Sequence, residues 1–203
     1  LMETCSSNSH VTDSAAAASA WSSGTRIANG AINYTPEGEA LVPIHEQVQG
    51  SGRSTGLVTT TRITHATPAA FASCVTARGQ EDSIAQQYLD RGVDVLMGGG
   101  SKHFDATIRA DGVDLKSRYQ AAGYHLMESR DQLLSEDSGD ARRQLGLFSS
   151  SHLPYSIDRQ RDAAIAKQVP TLAEMMKRAL ATLQKNPAGF LLQVEGGRVD
   201  HAG

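Results

Sequence analysis

The sequence has little of what several specialised protein classes need. Only two of its 203 residues are cysteine, one is tryptophan, and 5% are aromatic. Cys5 and Cys74 are too few for a disulfide framework, and they allow either one bridge or two free thiols. The net charge is −3 and no Lys- or Arg-rich block is present, which argues against nucleic-acid-specific binding and a membrane-surface role. No apolar run is long enough to span a bilayer.

What the sequence does have is an alternation of helix and strand patterns. This alternation predicts an α/β fold with a largely parallel sheet. Strands are predicted at residues 56–64, 93–100, 123–129, 145–149 and 190–194. Helices are predicted at residues 14–23, 43–49, 67–78, 82–91 and 171–185, with a further start near 130. Residues 150–162 are predicted to form an exposed loop.

The stretch VTDSAAAASAW, residues 11–21, allows two interpretations of Asp13 and Ser14. Both residue types are preferred helix caps, because their oxygens accept hydrogen bonds from the first free amides. A helix N-terminus also attracts phosphate, so Ser14 could instead be a nucleophile beside a bound anion. A second helix start has Thr67 as the expected cap and Pro68 at the first helical position, with the helix ending near Arg78.

Polar residues follow several of these elements, and ligands of open α/β sheets bind beyond the carboxyl ends of the strands. Arg78 could grip two phosphate oxygens, and Glu195 and Asp200 could hold cations that neutralise a transferring phosphoryl group. No Ser-His-Asp arrangement is evident, so a metal would have to lower the pKa of the serine hydroxyl. Each residue also has an ordinary interpretation, as a helix cap, a helix-end cation or a turn residue. Five histidines show no ligand spacing and are interpreted as surface residues or residues behind the ligands: His10, His45, His103, His125 and His152.

Four segments, in the same order along the chain, closely resemble alkaline phosphatases. They are VTDSAAAASAWSSG, THATPAAFASCVTARG, VDVLMGGGSKHF and FLLQVEGGRVDHAG. The resemblance spans essentially the whole chain. It implies a three-layer α/β/α sandwich with a largely parallel central sheet. It also implies hydrolysis of phosphate monoesters through a phosphoserine, with two zinc ions and one magnesium ion as cofactors.

The resemblance also implies roles for individual residues. Ser14 matches the serine that is phosphorylated and contacts metal, and Arg78 matches the arginine that binds the substrate phosphate. Asp13 matches the aspartate that orients this arginine. Thr67 and Glu195 match two magnesium ligands, and Asp200 matches a zinc ligand. His65 and His201 match a pair of histidines that lie behind the ligands in the animal enzymes and in some bacterial ones.

Other ligands of the family's metals have no match in these residues. The resemblance therefore implies that residues 1–203 are a partial catalytic domain, incomplete at both ends and lacking the first strand and the C-terminal half. Little or no turnover is expected from these residues alone. A periplasmic or secreted location and a homodimer are further expectations from the family. The alternatives are a related phosphodiesterase or sulfatase-type hydrolase, against which DSAAAASA argues, and a non-catalytic phosphate-binding fragment.

Overall fold

The structure, a computed structural model, describes residues 3–135 and 142–202. The chain divides into two compact units. The first consists of Leu1–Arg53 and Thr64–Gly92, and the second of Ser54–Ile63 and Val93–Gly203. The expectation that residues 1–203 form one catalytic domain stays a prediction.

The second unit contains a five-stranded sheet in which every pair of neighbouring strands is parallel. The strands are β1 Ser54–Arg62, β2 Val95–Gly99, β3 Tyr124–Met127, β4 Arg143–Leu147 and β5 Phe190–Glu195, in the spatial order β3-β4-β2-β1-β5. Because all of them run the same way, their carboxyl ends meet at one edge of the sheet. The predicted parallel sheet is thus confirmed, although β4 begins two residues before the predicted strand.

Within residues 93–135 and 142–202, five α-helices accompany this sheet: α5 Leu115–Ala121, α6 Arg130–Leu134, α7 Ser156–Arg161, α8 Ala163–Gln168 and α9 Leu172–Leu183. The predicted helix at 171–185 is α9, and its buried face, which includes Met175, packs on the sheet core around Val58 and Met97. The predicted loop at 150–162 is wrong from Ser156 onward. Its helix α7 lacks buried residues, and Arg159 fastens it to the end of α8 by donating to the carbonyl of Val169 at 2.9 Å.

The described part of the first unit contains four α-helices, α1 Ser14–Ser23, α2 Ile44–Gly50, α3 Ala66–Ala72 and α4 Glu81–Asp90. Helices α1 and α3 pack against each other. Their buried residues are mostly alanines, which allow two helices to approach closely: Ala15, Ala16, Ala18, Ala20, Ala66, Ala69, Ala70 and Ala72. Helix α1 has the predicted bounds, and Gly24 ends it in the left-handed conformation at φ 74°.

Helix α3 differs from its prediction at both ends. His65, not Thr67, occupies the N-cap position, so Thr67 is the second helical residue rather than a cap. The helix ends at Ala72, six residues before Arg78, which lies in a loop instead of a helix. The early end has a tertiary cause. The Asn33 side-chain amide donates to the carbonyls of Ala70 and Ser73 at 2.6 and 2.8 Å, and these bonds close the end of the helix.

The structure also settles three smaller points. Cys5 and Cys74 are both free thiols, and burial raises the pKa of the Cys74 thiol. His45 was expected at the surface or behind the ligands, but it is 1% exposed inside the first unit, where burial lowers its pKa to about 3. Among the described residues, none of the helices combines the length and the apolar character needed to cross a bilayer.

Candidate active site

Asp13 is the N-cap of α1, and Ser14 is the first residue of the helix. Oδ1 of Asp13 accepts the backbone N–H of Ala16 at 2.8 Å, and Oδ2 accepts the backbone N–H of Gly30 at 3.0 Å. The capping interpretation is therefore confirmed for Asp13. Ser14 is half-buried and is the first helical residue rather than the cap, so it belongs to the turn whose first amides lack partners within the helix.

Arg78 is fixed against this helix start from three directions. Its NH1 donates to Oδ2 of Asp13 at 3.1 Å, and its NH2 lies 3.1 Å from Nε2 of His65. Its backbone N–H donates to the carbonyl of Gly30 at 2.7 Å. A guanidinium can only donate, so Nε2 of His65 accepts and the proton of the neutral ring lies on Nδ1. The side chain of Arg78 stays 32% exposed, which leaves the guanidinium accessible to an anion.

Thr67 lies in the first turn of α3, two residues after His65, and is half-buried. No capping hydrogen bond from a side chain forms at this helix start. The ordinary interpretation of Thr67 as a cap is therefore wrong. Its role as a magnesium ligand stays a prediction.

In the second unit, Glu195 is the last residue of β5 and lies opposite Thr59 of β1. The hydroxyls of Thr59 and Thr61 lie 2.6 and 3.3 Å from Oε2 of Glu195 and donate to it. The carboxylate is thus oriented through one oxygen, and Oε1 is the candidate ligand atom. Gly197 lies close against this group, because a Cβ there would stand 2.5 Å from Cγ2 of Thr61 and 2.8 Å from Cδ of Glu195.

Asp200 and His201 belong to the short 3-10 turn Asp200–Ala202, and Asp200 is exposed. Nδ1 of His201 lies 2.8 Å from NH1 of Arg198. The hydroxyl of Tyr155 donates to the carbonyl of His201 at 2.9 Å, and the guanidinium of Arg198 stacks on the Tyr155 ring at 3.7 Å. The turn that carries Asp200 is therefore held by a residue 46 positions earlier in the chain.

Sequence reasoning missed several of these contacts. The ring of His152, interpreted from the sequence as a surface residue or a residue behind the ligands, lies 4.6 Å from the ring of His201. The threonine run of β1 could have suggested the partners of Glu195, because alternate residues of a strand share one face. Nothing in the sequence marked Tyr155 or Arg198. Within the first unit the structure brings Asp13, Ser14, His65 and Arg78 together, whereas a cavity shared with Glu195 and Asp200 stays a prediction.

Comparison with known proteins decides the family. The sequence profile described as Alkaline phosphatase matches residues 1–203. The chain belongs to the alkaline phosphatase family. It is 40% identical to alkaline phosphatase 3 of Bacillus subtilis over 201 residues, which cover 96% of this chain and 40% of that protein. It is 34% identical to the alkaline phosphatase of Escherichia coli over 230 residues, covering 94% of this chain and 49% of that protein.

Solved alkaline phosphatase structures share the fold over the whole chain. The enzyme of Thermus thermophilus is 41% identical with a TM-score of 0.92, covering 100% of this chain and 41% of that one. The enzyme of the Antarctic bacterium TAB5 is 28% identical with a TM-score of 0.87, covering 100% and 56%. A histidine-to-aspartate variant of the TAB5 enzyme holds Mg in its M3 site. The alkaline-phosphatase-like α/β fold expected from the resemblance is confirmed, and the chain spans 40% and 49% of the two curated relatives described above.

Proposed function

We propose that this chain supplies the nucleophile and the phosphate-binding arginine of an alkaline phosphatase, and that hydrolysis of phosphate monoesters is the activity of the whole protein. One observation carries the proposal. The Arg78 guanidinium lies 3.1 Å from the carboxylate of Asp13, the residue that directly precedes Ser14 at the head of α1. A hydroxyl, a cation and free amides at one place are what an attack on a bound phosphate requires.

The proposed reaction has two displacements. Oγ of Ser14 attacks phosphorus in line, and the new O–P bond forms as the bond to the ester oxygen breaks. The proton lost by the Ser14 hydroxyl balances the proton gained by the departing ester oxygen, so that an alcohol leaves. Arg78 binds two phosphoryl oxygens, and the first amides of α1 donate to the same group while charge develops on it. Water then attacks the phosphoserine from the side that the alcohol has left. The hydroxyl of Ser14 is restored and inorganic phosphate is released.

Following the family resemblance, we assign two zinc ions and one magnesium ion to the complete enzyme, with candidate ligand atoms from Ser14, Thr67, Glu195 and Asp200. The donor set fits such ions, because hydroxyl and carboxylate oxygens are the ligands that Mg²⁺ prefers and a carboxylate such as that of Asp200 is also a common zinc ligand. Glu195 supports the assignment most directly, since Thr59 and Thr61 orient its carboxylate through Oε2. When bound, the cations would lower the pKa of the attacking hydroxyl and neutralise phosphoryl charge. His65 and His201 would stand behind the ligands.

The remaining assignments follow from the family resemblance. The substrates are phosphate monoesters and the product that rebinds is inorganic phosphate. The whole protein acts in the periplasm or outside the cell, and it works as a homodimer.

Ser14→Ala and Arg78→Ala test the proposal in the complete protein. With a phosphate monoester, Zn²⁺ and Mg²⁺ present, mass spectrometry should find phosphate on Ser14 in the wild type and none in Ser14→Ala. Arg78→Ala should weaken the binding of inorganic phosphate about 10- to 100-fold, because hydrogen bonds to a charged group contribute about 1.5–3 kcal/mol. Ser23→Ala, at the other end of α1, and Arg26→Ala, an exposed arginine of the same unit, are the controls.

Normal phosphoenzyme in Ser14→Ala would refute the assignment of the nucleophile. Unchanged affinity for inorganic phosphate in Arg78→Ala would refute the assignment of the arginine. Phosphate binding that depends on Arg78, without phosphate transfer to Ser14 in the complete protein, would favour the alternative of a non-catalytic phosphate-binding protein.

A further inference from the structure

Glu81 is a carboxylate in an unusual position. It is the first residue of α4 and only 8% exposed. Its Oε2 accepts a hydrogen bond from the hydroxyl of Thr64, which is itself fully buried, at 2.6 Å. Burying a carboxylate is costly, and the partial positive charge at a helix start offsets only part of that cost. A short charge-assisted bond between two buried side chains therefore fixes the two segments that carry them.

These two segments also carry the residues around the proposed phosphate site. Thr64 directly precedes His65, and Glu81 lies three residues after Arg78. NH2 of Arg78 lies 3.1 Å from Nε2 of His65. These residues are therefore linked in a closed ring. A hydrogen bond joins Glu81 to Thr64, a peptide bond joins Thr64 to His65, a side-chain contact joins His65 to Arg78, and a short stretch of chain leads from Arg78 back to Glu81. A shift of Thr64 would move the imidazole away from the guanidinium.

Helix α4 and the residue before it, Gln80, hold the loop of Arg78 at two further points. Oε1 of Gln80 accepts the backbone N–H of Ala77 at 3.1 Å. Gln87 bonds both backbone groups of Cys74, accepting its N–H at 2.9 Å and donating to its carbonyl at 2.8 Å. The loop is therefore fixed before and after Arg78. These backbone contacts do not fix the direction of the Arg78 guanidinium. That direction is set by the two groups that contact it, the carboxylate of Asp13 and the imidazole of His65.

We propose that Glu81 is a positioning residue for Arg78. Through Thr64 it holds the His65 imidazole against the guanidinium, so that the guanidinium is oriented before phosphate arrives. The part of this inference that concerns phosphate rests on the proposed function. The part that concerns the order of the guanidinium rests on the contacts within the first unit alone.

Three variants test the inference. Thr64→Val keeps the shape but removes the hydroxyl, Thr64→Ser keeps the hydroxyl, and Glu81→Gln keeps the size but removes the charge. The readouts are the NMR signal of the Arg78 Nε–H group and the affinity for inorganic phosphate, measured on the purified protein. Thr64→Val should broaden or shift the Arg78 signal and weaken phosphate binding by up to about tenfold, the effect of losing one hydrogen bond from a misplaced guanidinium to phosphate. Thr64→Ser should restore both readouts, and Glu81→Gln should give a smaller change of the same kind.

Thr55→Val is the matched control, because Thr55 is a fully buried threonine of the second unit whose hydroxyl has no partner among the described residues. It should leave both readouts unchanged. A wild-type Arg78 signal in both folded Thr64→Val and folded Glu81→Gln, or a Thr64→Ser variant that behaves like Thr64→Val, would overturn the inference. If Thr64→Val does not fold, Glu81→Gln and Thr64→Ser decide it. Should Arg78→Ala leave phosphate affinity unchanged, the proposed function fails, and the Arg78 signal still decides whether Glu81 positions the guanidinium.

Discussion

The two units of the chain are stabilised by different means. The first buries alanines together with a set of polar side chains, Ser19, Ser22, Asn33, Thr64, Ser73 and Glu81. The second buries large apolar side chains on the strands of its sheet and on α9, among them Leu57, Leu96, Met97 and Met175. Alanine offers little apolar area, although Ile27, Ile84 and Tyr88 of the first unit are fully buried as well. We therefore expect hydrogen bonds to contribute relatively more to the first unit and packing relatively more to the second.

The difference extends to the candidate functional residues. Arg78 and Asp13 are joined directly by a polar contact in the first unit. Glu195 of the second unit is positioned by the register of β5 against β1, and its threonine partners follow from that register. Substitutions should therefore act through lost hydrogen bonds in one unit and through cavities in the other.

The largest effect is expected from a cavity in the sheet. Leu57 is fully buried in β1, and Leu57→Ala should lower the free energy of unfolding by about 2–5 kcal/mol. Urea unfolding followed by circular dichroism measures this change. Val194→Ala on β5, where the side chain is 37% exposed, is the control and should cost about 1 kcal/mol or less. Equal costs at the two positions would contradict the assignment of stability to packing in the second unit.

A slightly smaller effect is expected from one polar side chain of the first unit. Asn33→Ala removes both bonds that end α3 and leaves two carbonyls unpaired, at a cost of about 2–3 kcal/mol. Asn33 has a φ of 50°, so Asn33→Gly should lose the same bonds but avoid about 1 kcal/mol of backbone strain. Fluorescence of Trp21, the single tryptophan, follows the unfolding of this unit. Wild-type stability in both variants would show that these bonds contribute nothing.

A pH-dependent effect is expected from the ion pair that joins α6 to α9 in the second unit. Arg130 donates to both oxygens of Glu174 and lowers the pKa of that carboxyl from 4.5 to about 2. Because the folded pKa is the lower one, the stabilisation is present above pH 4.5 and is lost as the pH falls toward 2. The side chain is 24% exposed, and allowing for screening by solvent we expect about 1–2 kcal/mol at pH 7.

Glu174→Gln measures this contribution, since glutamine can still complete the capping box with Thr171. The difference in unfolding free energy between wild type and variant should be largest at pH 7 and shrink at pH 4 and pH 3. A difference that stays constant or grows on acidification would show that the charge of Glu174 does not stabilise the fold.

The smallest effect is expected from a surface ion pair. Nζ of Lys116 lies 2.7 Å from Oε1 of Glu128, and the glutamate side chain is 48% exposed. Lys116→Ala should change stability by about 0–1 kcal/mol, and added salt should reduce even that. A loss comparable to that of Leu57→Ala would mean that charge pairs, not packing, dominate the second unit.

Features set by local sequence could be predicted. The bounds of α1 follow from Asp13 and Gly24, which act on the backbone next to them. The strands follow from short apolar runs. The motifs that resemble a family point to Ser14 and Arg78, whose roles stay predictions. Each of these signals lies within a few consecutive residues.

Features set by distant residues could not be predicted. The end of α3 depends on Asn33, which lies 37 positions from Ala70. Helix α7 has no buried face, so its sequence shows no helical repeat of apolar residues from which it could be predicted. Its contact with the end of α8 is made by Arg159. The bond between Thr64 and Glu81 joins two ordinary residues across 17 positions. Composition and spacing cannot reveal such pairs.

The two carboxylate oxygens of Asp13 have different roles. Oδ1 caps the start of α1, and Oδ2 accepts a hydrogen bond from Arg78. No substitution at this position can alter the arginine without also touching the helix. Natural variation should therefore tolerate little here even in relatives that have lost activity, since a chain that abandons the chemistry would still depend on the same carboxylate to fold.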